Sequence, residues 1–421
     1  MDLFHHLNRN HGLLKHTLVL SVTSVIGLLF NYLFYAFIGR SLSPEDYSVF
    51  ASLQSFFFIF FVLGTIMNVV LIQFISYFES RQQQGKTRQL FQYILRASIL
   101  IGIAIILVFA FASHWIAQAL DLPTSSVLPI FFLGLQIATY LLLSGIYGMM
   151  MALQRFLHLG INRILVSVFV LLVGIAFLGL GLSVTGIMLA FVLGNLVGTP
   201  SGMRFLKPVF AVKHMPIGAV NIRKAVWMGV LFSLSIGVLA NIDVILAKLF
   251  LPITQAGYYA AAAFMGKVVF FISMSLAVVM FPKVAGLMNE GKPSTHLLKE
   301  TLKYMAIISL PLILIAFLFP YEMGRILFGA EFAIAPFMGL SLLAFSLLAF
   351  SSIVLLYLLA IGIHSAWKRL LGAIVLEALL ISLFHGSEAM ILLDVVAANV
   401  VLLFALVHKN WPIFVQTFKR D

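Results

Sequence analysis

The sequence contains no cysteine, and several other features that enzymes commonly use are also missing. Without cysteine in any of the 421 positions, the chain has no disulfide, no catalytic thiol and no thiolate metal site. No glycine-rich phosphate loop followed by Lys-Ser or Lys-Thr occurs, which argues against ATP hydrolysis by this chain. The histidines show no metal-ligand spacing. These absences predict a protein that is not an enzyme and holds no cofactor or metal.

Charge is scarce as well. Charged residues make up 10% of the chain, hydrophobic residues make up 62%, and the mean hydropathy is +1.11. A water-soluble domain of this size would not stay in solution with that composition. The apolar runs repeatedly reach the roughly 20 residues that a helix needs to cross a bilayer, and the short alternating strands of an outer-membrane barrel are missing from the sequence. The composition therefore predicts an all-helical, polytopic membrane protein.

The apolar segments predict twelve transmembrane helices. They fall at about 17–39, 47–77, 91–112, 125–150, 161–181, 184–204, 226–249, 256–281, 302–320, 336–361, 369–385 and 389–408. The first segment lacks a small-residue cleavage site, so we interpret it as a retained span and not as a signal peptide. The longest linker, about 205–223, contains prolines and divides the spans six and six. We predict an N-lobe at 1–204, a cytoplasmic linker at 205–223 and a C-lobe at 224–421.

The positions of Lys and Arg test this count, because both residues collect in cytoplasmic loops. With both termini in the cytoplasm, 22 of the 26 Lys and Arg residues lie on the inner side, including Arg155 before the fifth span and Arg163 at its inner end. The outer side holds Arg40, Lys248 and Arg325, and Lys267 lies within the membrane. An extra or missing span would destroy this alternation. The net charge of +12 then reflects topology and attraction to anionic lipids, and no nucleic-acid partner is expected.

The stretch 240–286 contains two apolar helices on either side of a Pro/Gly turn, and each helix carries one intramembrane charge. Asp243 lies on the first helix and Lys267 on the second. Subtracting about 209 from these positions leads to residues 30–61, which have the same order of helix, turn and helix. At about 1.5 Å per residue, Asp243 lies about 10 Å from the turn and Lys267 about 20 Å from it. This offset predicts that the two charges meet only if the helices tilt.

The start of the second span has a local structural signature. In the run Ser43-Pro44-Glu45-Asp46, the serine suits an N-cap and the proline suits the first helical position. The two acidic residues suit the positive end of a helix. The pattern predicts that the second helix begins at this tetrapeptide.

Residues 39–47, Gly-Arg-Ser-Leu-Ser-Pro-Glu-Asp-Tyr, resemble the first-loop signature of the polysaccharide biosynthesis flippases in the multidrug/oligosaccharidyl-lipid/polysaccharide exporter superfamily. Further segments are similar to this family in the same order, and together they extend from residue 14 to about 365. They are 145–156, 179–186, 243–259 with 281–282, 326–332 and 357–362. The last two helices depart from the family, since they are short and their outer turn covers only 385–388.

The resemblance implies a MATE-like fold, in which two six-helix lobes form a V with a pseudo-two-fold axis along the membrane normal. It also implies a flippase or exporter, acting as an antiporter, that moves a polyprenyl-diphosphate-linked oligosaccharide across the cell membrane for surface polysaccharide assembly. Transport would proceed by gradient-coupled alternating access. The implied partners are this lipid-linked substrate, membrane lipids, and the polymerase or glycosyltransferases of the same pathway.

The intramembrane polar residues are the candidate site residues. Lys267 either contacts a substrate phosphate or forms a structural ion pair with an acidic residue inside the bundle. The acidic residues are Asp243, Glu377 and Asp394, which are also candidates for coupling transport to a proton or cation gradient. Three amides either line a substrate cleft or hydrogen-bond between helices: Asn31, Asn241 and Gln54.

Two other functions stay open at this stage. A multidrug or cation exporter of the same fold would be expected to have an acid-rich N-lobe cavity, whereas the first six spans contain no intramembrane Asp or Glu. A membrane scaffold that transports nothing is the second alternative.

The predicted topology can be tested by labelling single cysteines, because the native chain contributes no thiol background. Cysteines replacing Ser43, Ser183 or Ser387 lie in predicted outer turns, so an impermeant thiol reagent should label them in intact cells. Cysteines replacing Gln83 or Ser294 lie in predicted inner loops and should stay unlabelled. Labelling at Gln83 would contradict the twelve-helix arrangement.

Overall fold

The structure, a computed structural model, describes residues 23, 26–27, 29–213, 215, 231, 233–289, 292–329 and 337–410. Within these residues, all regular secondary structure is helical. The long helices are α1 (29–41), α2 (Pro44–Ser80), α3 (Gln84–Ala119), α4 (Val127–Ala152), α5 (Phe156–Gly179), α6 (Ser183–Phe205), α7 (233–239 and Ile242–Phe250), α8 (Ile253–Asn289), α9 (Thr295–Leu318), α10 (Met338–Ala360), α11 (Trp367–Leu383) and α12 (Glu388–Lys409). Short helices at Lys207–Ala211 and Pro320–Phe328 follow α6 and α9.

Ten helices in the described part of the chain are long and apolar enough to cross a membrane. The two predicted spans outside this set are α1, whose beginning falls among residues that are not described, and α11, which has 17 residues. The order of the helices follows the predicted order of the spans. The chain is therefore a multi-pass, all-α membrane protein, as predicted. Both chain termini lie outside the described residues.

The chain forms two compact units. The first comprises residues 1–41 and 60–230, and the second comprises 42–59 and 231–421. The lobes predicted from the sequence assign all of α2 to the first lobe, whereas residues 42–59 pack with the second unit. The most deeply buried span of the first unit is α4, and that of the second unit is α10.

The beginning of α2 has the predicted structure. The helix starts at Pro44 and carries Glu45 and Asp46 in its first turn. The hydroxyl of Ser43 accepts a hydrogen bond from the backbone N–H of Asp46 at 3.2 Å, which is the expected N-cap contact. This cap satisfies one of the backbone donors that a helix leaves unpaired at its N-terminus.

The same turn packs within the second unit against the turn between α7 and α8. The Thr254 hydroxyl donates a hydrogen bond of 2.6 Å to Glu45 Oε1, and these two residues are 209 positions apart. A Cβ built at Gly257 would lie 2.0 Å from the carbonyl oxygen of Pro44, so only glycine permits this approach. The separation of Glu45 and Thr254 equals the offset of about 209 residues between the two internal repeats. The hydrogen bond between Glu45 and Thr254 therefore joins equivalent positions of the two repeats.

Candidate functional site

The candidate site is organised by an interruption in α7. Its two helical segments are separated by residues 240–241, so Asp243 falls in the first turn of the second segment, where the helix dipole favours an acid. Asn241 lies at the interruption. Its side-chain amide donates a 2.9 Å hydrogen bond to the carbonyl of Gly237, a group that the end of the first segment leaves without a helical donor. Asp243 is completely buried.

Lys267 from α8 reaches this interruption. Its Nζ donates a hydrogen bond of 2.9 Å to Asn241 Oδ1 and lies 3.9 Å from Asp243 Oδ1. The ammonium also lies 5.7 Å from the ring centroid of Phe345 on α10, within cation–π range. With 7% of its surface exposed, Lys267 is enclosed by protein. The structure thus brings together Asn241, Asp243 and Lys267.

Tyr259 completes the environment of Asp243. Its hydroxyl donates a hydrogen bond of 2.8 Å to Asp243 Oδ2, and the tyrosine is completely buried. Asp243 Oδ1 accepts no hydrogen bond from the described residues, so the ammonium of Lys267 is the positive group near this oxygen. Each oxygen of the carboxylate therefore has a different neighbour.

The predicted offset between Asp243 and Lys267 does not keep them apart. Side chains on a helix lean toward its N-terminus, and α8 begins at the turn that it shares with α7. The four-carbon stem of Lys267 can therefore carry the ammonium back toward the turn, to the level of Asp243. Counting residues along each helix predicts the depth of the Cα atoms, whereas the ammonium of Lys267 lies at the end of a long side chain.

Two further carboxylates extend the cluster. Glu377 on α11 is completely buried and interacts electrostatically with Asp243 and Lys267. Neither of its side-chain oxygens accepts a hydrogen bond from the described part of the chain. Asp394 on α12 is buried and interacts electrostatically with Tyr259. We call Asp243, Lys267, Glu377 and Asp394 the buried charge cluster.

The buried charge cluster contains three carboxyl groups and one ammonium. If all four groups were ionised, the cluster would carry two excess negative charges inside the second unit. Burying an uncompensated charge costs several kcal/mol, and a proton or a bound cation at these carboxyl groups would lower that cost. A site of this kind can take up and release a cation when its access to water changes.

The remaining two amide candidates lie in other parts of the fold. Asn31 on α1 belongs to the first unit, where its Nδ2 lies 3.3 Å from the hydroxyl of Ser167 on α5. Gln54 is 3% exposed and lies in the part of α2 that packs with the second unit. Hydrogen bonding between helices accounts for Asn31 as the structure places it.

Two residues with potential functions were missed by the sequence reasoning. Tyr259 lies about as far from the α7–α8 turn as Asp243, and matching these distances across the hairpin could have revealed the pair. Arg163 was counted on the inner side because the fifth span was predicted to begin at residue 161, only two residues before it. The helix begins at Phe156, so Arg163 lies within it. The mostly apolar residues 156–161 indicate that the helix begins before residue 161.

Comparisons with known proteins agree with this architecture. The family described as polysaccharide biosynthesis protein matches residues 13–288. An inward-facing multidrug resistance MATE family transporter of the MOP superfamily has a similar structure, with 13% identity, a TM-score of 0.74, and coverage of 96% of this chain and 100% of that one. The lipid II flippase MurJ in an inward closed conformation shows 12% identity, a TM-score of 0.72, and coverage of 95% and 90%.

A third similar structure is a MOP superfamily transporter from Pyrococcus furiosus Vc1 (DSM3638), described as having a binding pocket of reversed polarity. It shows 14% identity, a TM-score of 0.64, and coverage of 96% of both chains. A comparison with curated protein sequences finds no match. At these identities, the structural similarities establish a shared fold.

The pairing of Lys267 with Asp243 predicts non-additive effects on stability. Lys267→Met should lower the free energy of unfolding by about 3–5 kcal/mol, because it leaves buried carboxylates without their cation. The double variant Lys267→Met/Asp243→Asn should lose less than the sum of the two single variants. Thermal unfolding in detergent measures these effects, with the exposed Lys303→Met as the matched control. Additive losses would show that the two charges are energetically independent.

Proposed function

Since this chain belongs to the polysaccharide biosynthesis protein family, we propose that it is a flippase of the cell membrane with both termini in the cytoplasm. Its substrate is a polyprenyl-diphosphate-linked oligosaccharide, which it moves from the inner to the outer leaflet for surface polysaccharide assembly. The family match and the fold shared with the lipid II flippase MurJ and with MATE transporters support this proposal.

The physical problem that such a protein solves is the transfer of a charged headgroup. A diphosphate with attached sugars cannot cross hydrocarbon unaided, because moving even one charge to the bilayer centre costs several kcal/mol. A polytopic helical protein can replace the lost hydration with polar side chains and still satisfy its own backbone within the helices. The same reasoning applies to any lipid-linked glycan, so the sugar itself is left open.

The observation that carries the mechanistic part of the proposal is the excess of acid in the buried charge cluster. We propose that Asp243, Glu377 and Asp394 bind and release a proton or a monovalent cation during transport. Moving one charge through the membrane potential is worth about 2.3 kcal/mol per 100 mV, and this energy can bias alternating access. The cluster lies within one unit, so its ionisation can change how that unit packs.

Lys267 has a defined part in this mechanism. Of the two roles open to it, the separation of 3.9 Å from Asp243 and the hydrogen bond to Asn241 favour the ion pair. When Asp243 is neutralised by a proton or a cation, the ammonium loses its partner and is free to turn toward Glu377. We propose that this exchange of partners is the local event that couples cation binding to the rearrangement of α7 and α8.

Asp243→Asn tests the coupling. The variant should bind the lipid-linked substrate about as well as the parent, because the change removes a charge but keeps the shape of the side chain. Net transport should be slower, its pH dependence flatter, and its stimulation by an imposed proton or sodium gradient lost. Transport of a labelled lipid-linked oligosaccharide into proteoliposomes, with and without the gradient, measures these properties.

The exposed Glu322→Gln is the matched control, since it also removes one carboxylate from the second unit. It should respond to the gradient as the parent does. If Asp243→Asn shows the same stimulation as the parent, the coupling resides outside Asp243, and Glu377→Gln and Asp394→Asn become the variants to measure.

A further inference from the structure

Arg163 is a cation inside a membrane helix of the first unit. It follows the start of α5 at Phe156 by seven residues, or about 10 Å along the helix axis. The side chain is partly buried, and its guanidinium carbon lies 5.2 Å from the ring centroid of Tyr147 on α4. Within the described residues, Arg163 forms neither an ion pair nor a hydrogen bond.

The neighbouring surface of α4 is polar. Tyr140, Ser144 and Tyr147 are spaced four and three residues apart, so they share one face of that helix. Both tyrosines are within electrostatic range of Arg163. The hydroxyl of Ser144 donates a hydrogen bond of 3.4 Å to Asn68 Oδ1 on α2, which extends the polar face to a third helix.

The described part of the first unit provides no acid beside Arg163. Its described acidic residues are Glu79, at the end of α2, and Asp121, just after α3. Neither lies within a membrane segment at the level of Arg163. Cations held within a membrane protein are normally paired, and a guanidinium offers five N–H donors in a planar fork. The N–H donors of Arg163 can therefore bind an anionic group.

We infer that Arg163, together with the hydroxyl of Tyr147, binds a phosphate group of the lipid-linked substrate. This inference rests on the proposed function and identifies the residues that recognise the diphosphate. Arginine pairs with phosphate oxygens through two parallel N–H···O bonds, and the Tyr147 hydroxyl can donate to a remaining oxygen. The position near the inner end of α5 suits capture of a headgroup from the inner leaflet.

The phosphate of an anionic phospholipid offers the same chemistry, so the test must separate the two sources. Binding of a polyprenyl diphosphate to the purified full-length protein in nanodiscs is measured with neutral lipid, and again with phosphatidylglycerol added as a competitor. Uncharged polyprenol serves as the ligand without phosphate. Arg163→Gln should weaken diphosphate binding at least about tenfold and leave polyprenol binding unchanged, and phosphatidylglycerol should compete weakly.

Two variants complete the design. Arg163→Lys keeps the charge but loses the planar fork, so its affinity should fall between those of the parent and Arg163→Gln. Arg204→Gln removes an exposed arginine from the same unit and should bind as the parent does. Elution volume and unfolding temperature establish that each variant is folded. If Arg163→Gln fails to fold, the weakened binding of the folded Arg163→Lys carries the test.

The outcomes separate this inference from the proposed function. If the parent does not bind polyprenyl diphosphate in preference to polyprenol, the proposed function itself is contradicted. If the parent binds the diphosphate and Arg163→Gln binds it equally well, the site inferred here is wrong and the function stands. Equal competition by phosphatidylglycerol would assign Arg163 to lipid anchoring and would also overturn the inference.

Discussion

The pairing of Lys267 with Asp243 is the interaction on which the second unit depends. Hydrocarbon cannot hydrate either charge, so each must find its partners within the protein. The interruption of α7 positions Asp243 at the start of a helical segment. The Asn241 side chain donates a hydrogen bond to the carbonyl of Gly237 at this interruption and accepts one from Lys267. Tyr259 then serves the other carboxylate oxygen. Among the described residues, one helix break and one hairpin thus supply the side-chain hydrogen bonds that the pair makes.

The two units differ in the charges of their candidate sites. In the first unit, Arg163 lies within α5 with no described acid beside it, whereas the buried charge cluster of the second unit combines three carboxyl groups with Lys267. A carrier of a diphosphate needs a positive group for its substrate and a titratable or cation-binding group for its energy source. Under the functions proposed above, the first unit binds the diphosphate of the substrate and the second unit binds the coupling ion.

The helices, their order and the cap at Ser43 could be predicted from the sequence because each depends on local composition and spacing. The family resemblance was likewise confirmed from residues that lie along most of the chain. The contacts within the buried charge cluster could not be predicted from the sequence in this way. The contact between Lys267 and Asp243 depends on the lean of a long side chain, and the positions of Tyr259 and Glu377 depend on which helices pack together. The location of Arg163 depended on the beginning of α5, and polar residues near a helix end blur that boundary.

The central claim is that this chain moves a lipid-linked glycan between leaflets. Its most direct test is to reconstitute the parent protein in liposomes with a labelled polyprenyl-diphosphate-linked oligosaccharide in one leaflet. The measured quantity is the rate at which an impermeant reagent gains access to the glycan in the opposite leaflet. We expect this rate to exceed that of protein-free liposomes and to rise further under a proton or sodium gradient. A rate equal to that of protein-free liposomes, with folded protein in the bilayer and the gradient applied, would contradict the account.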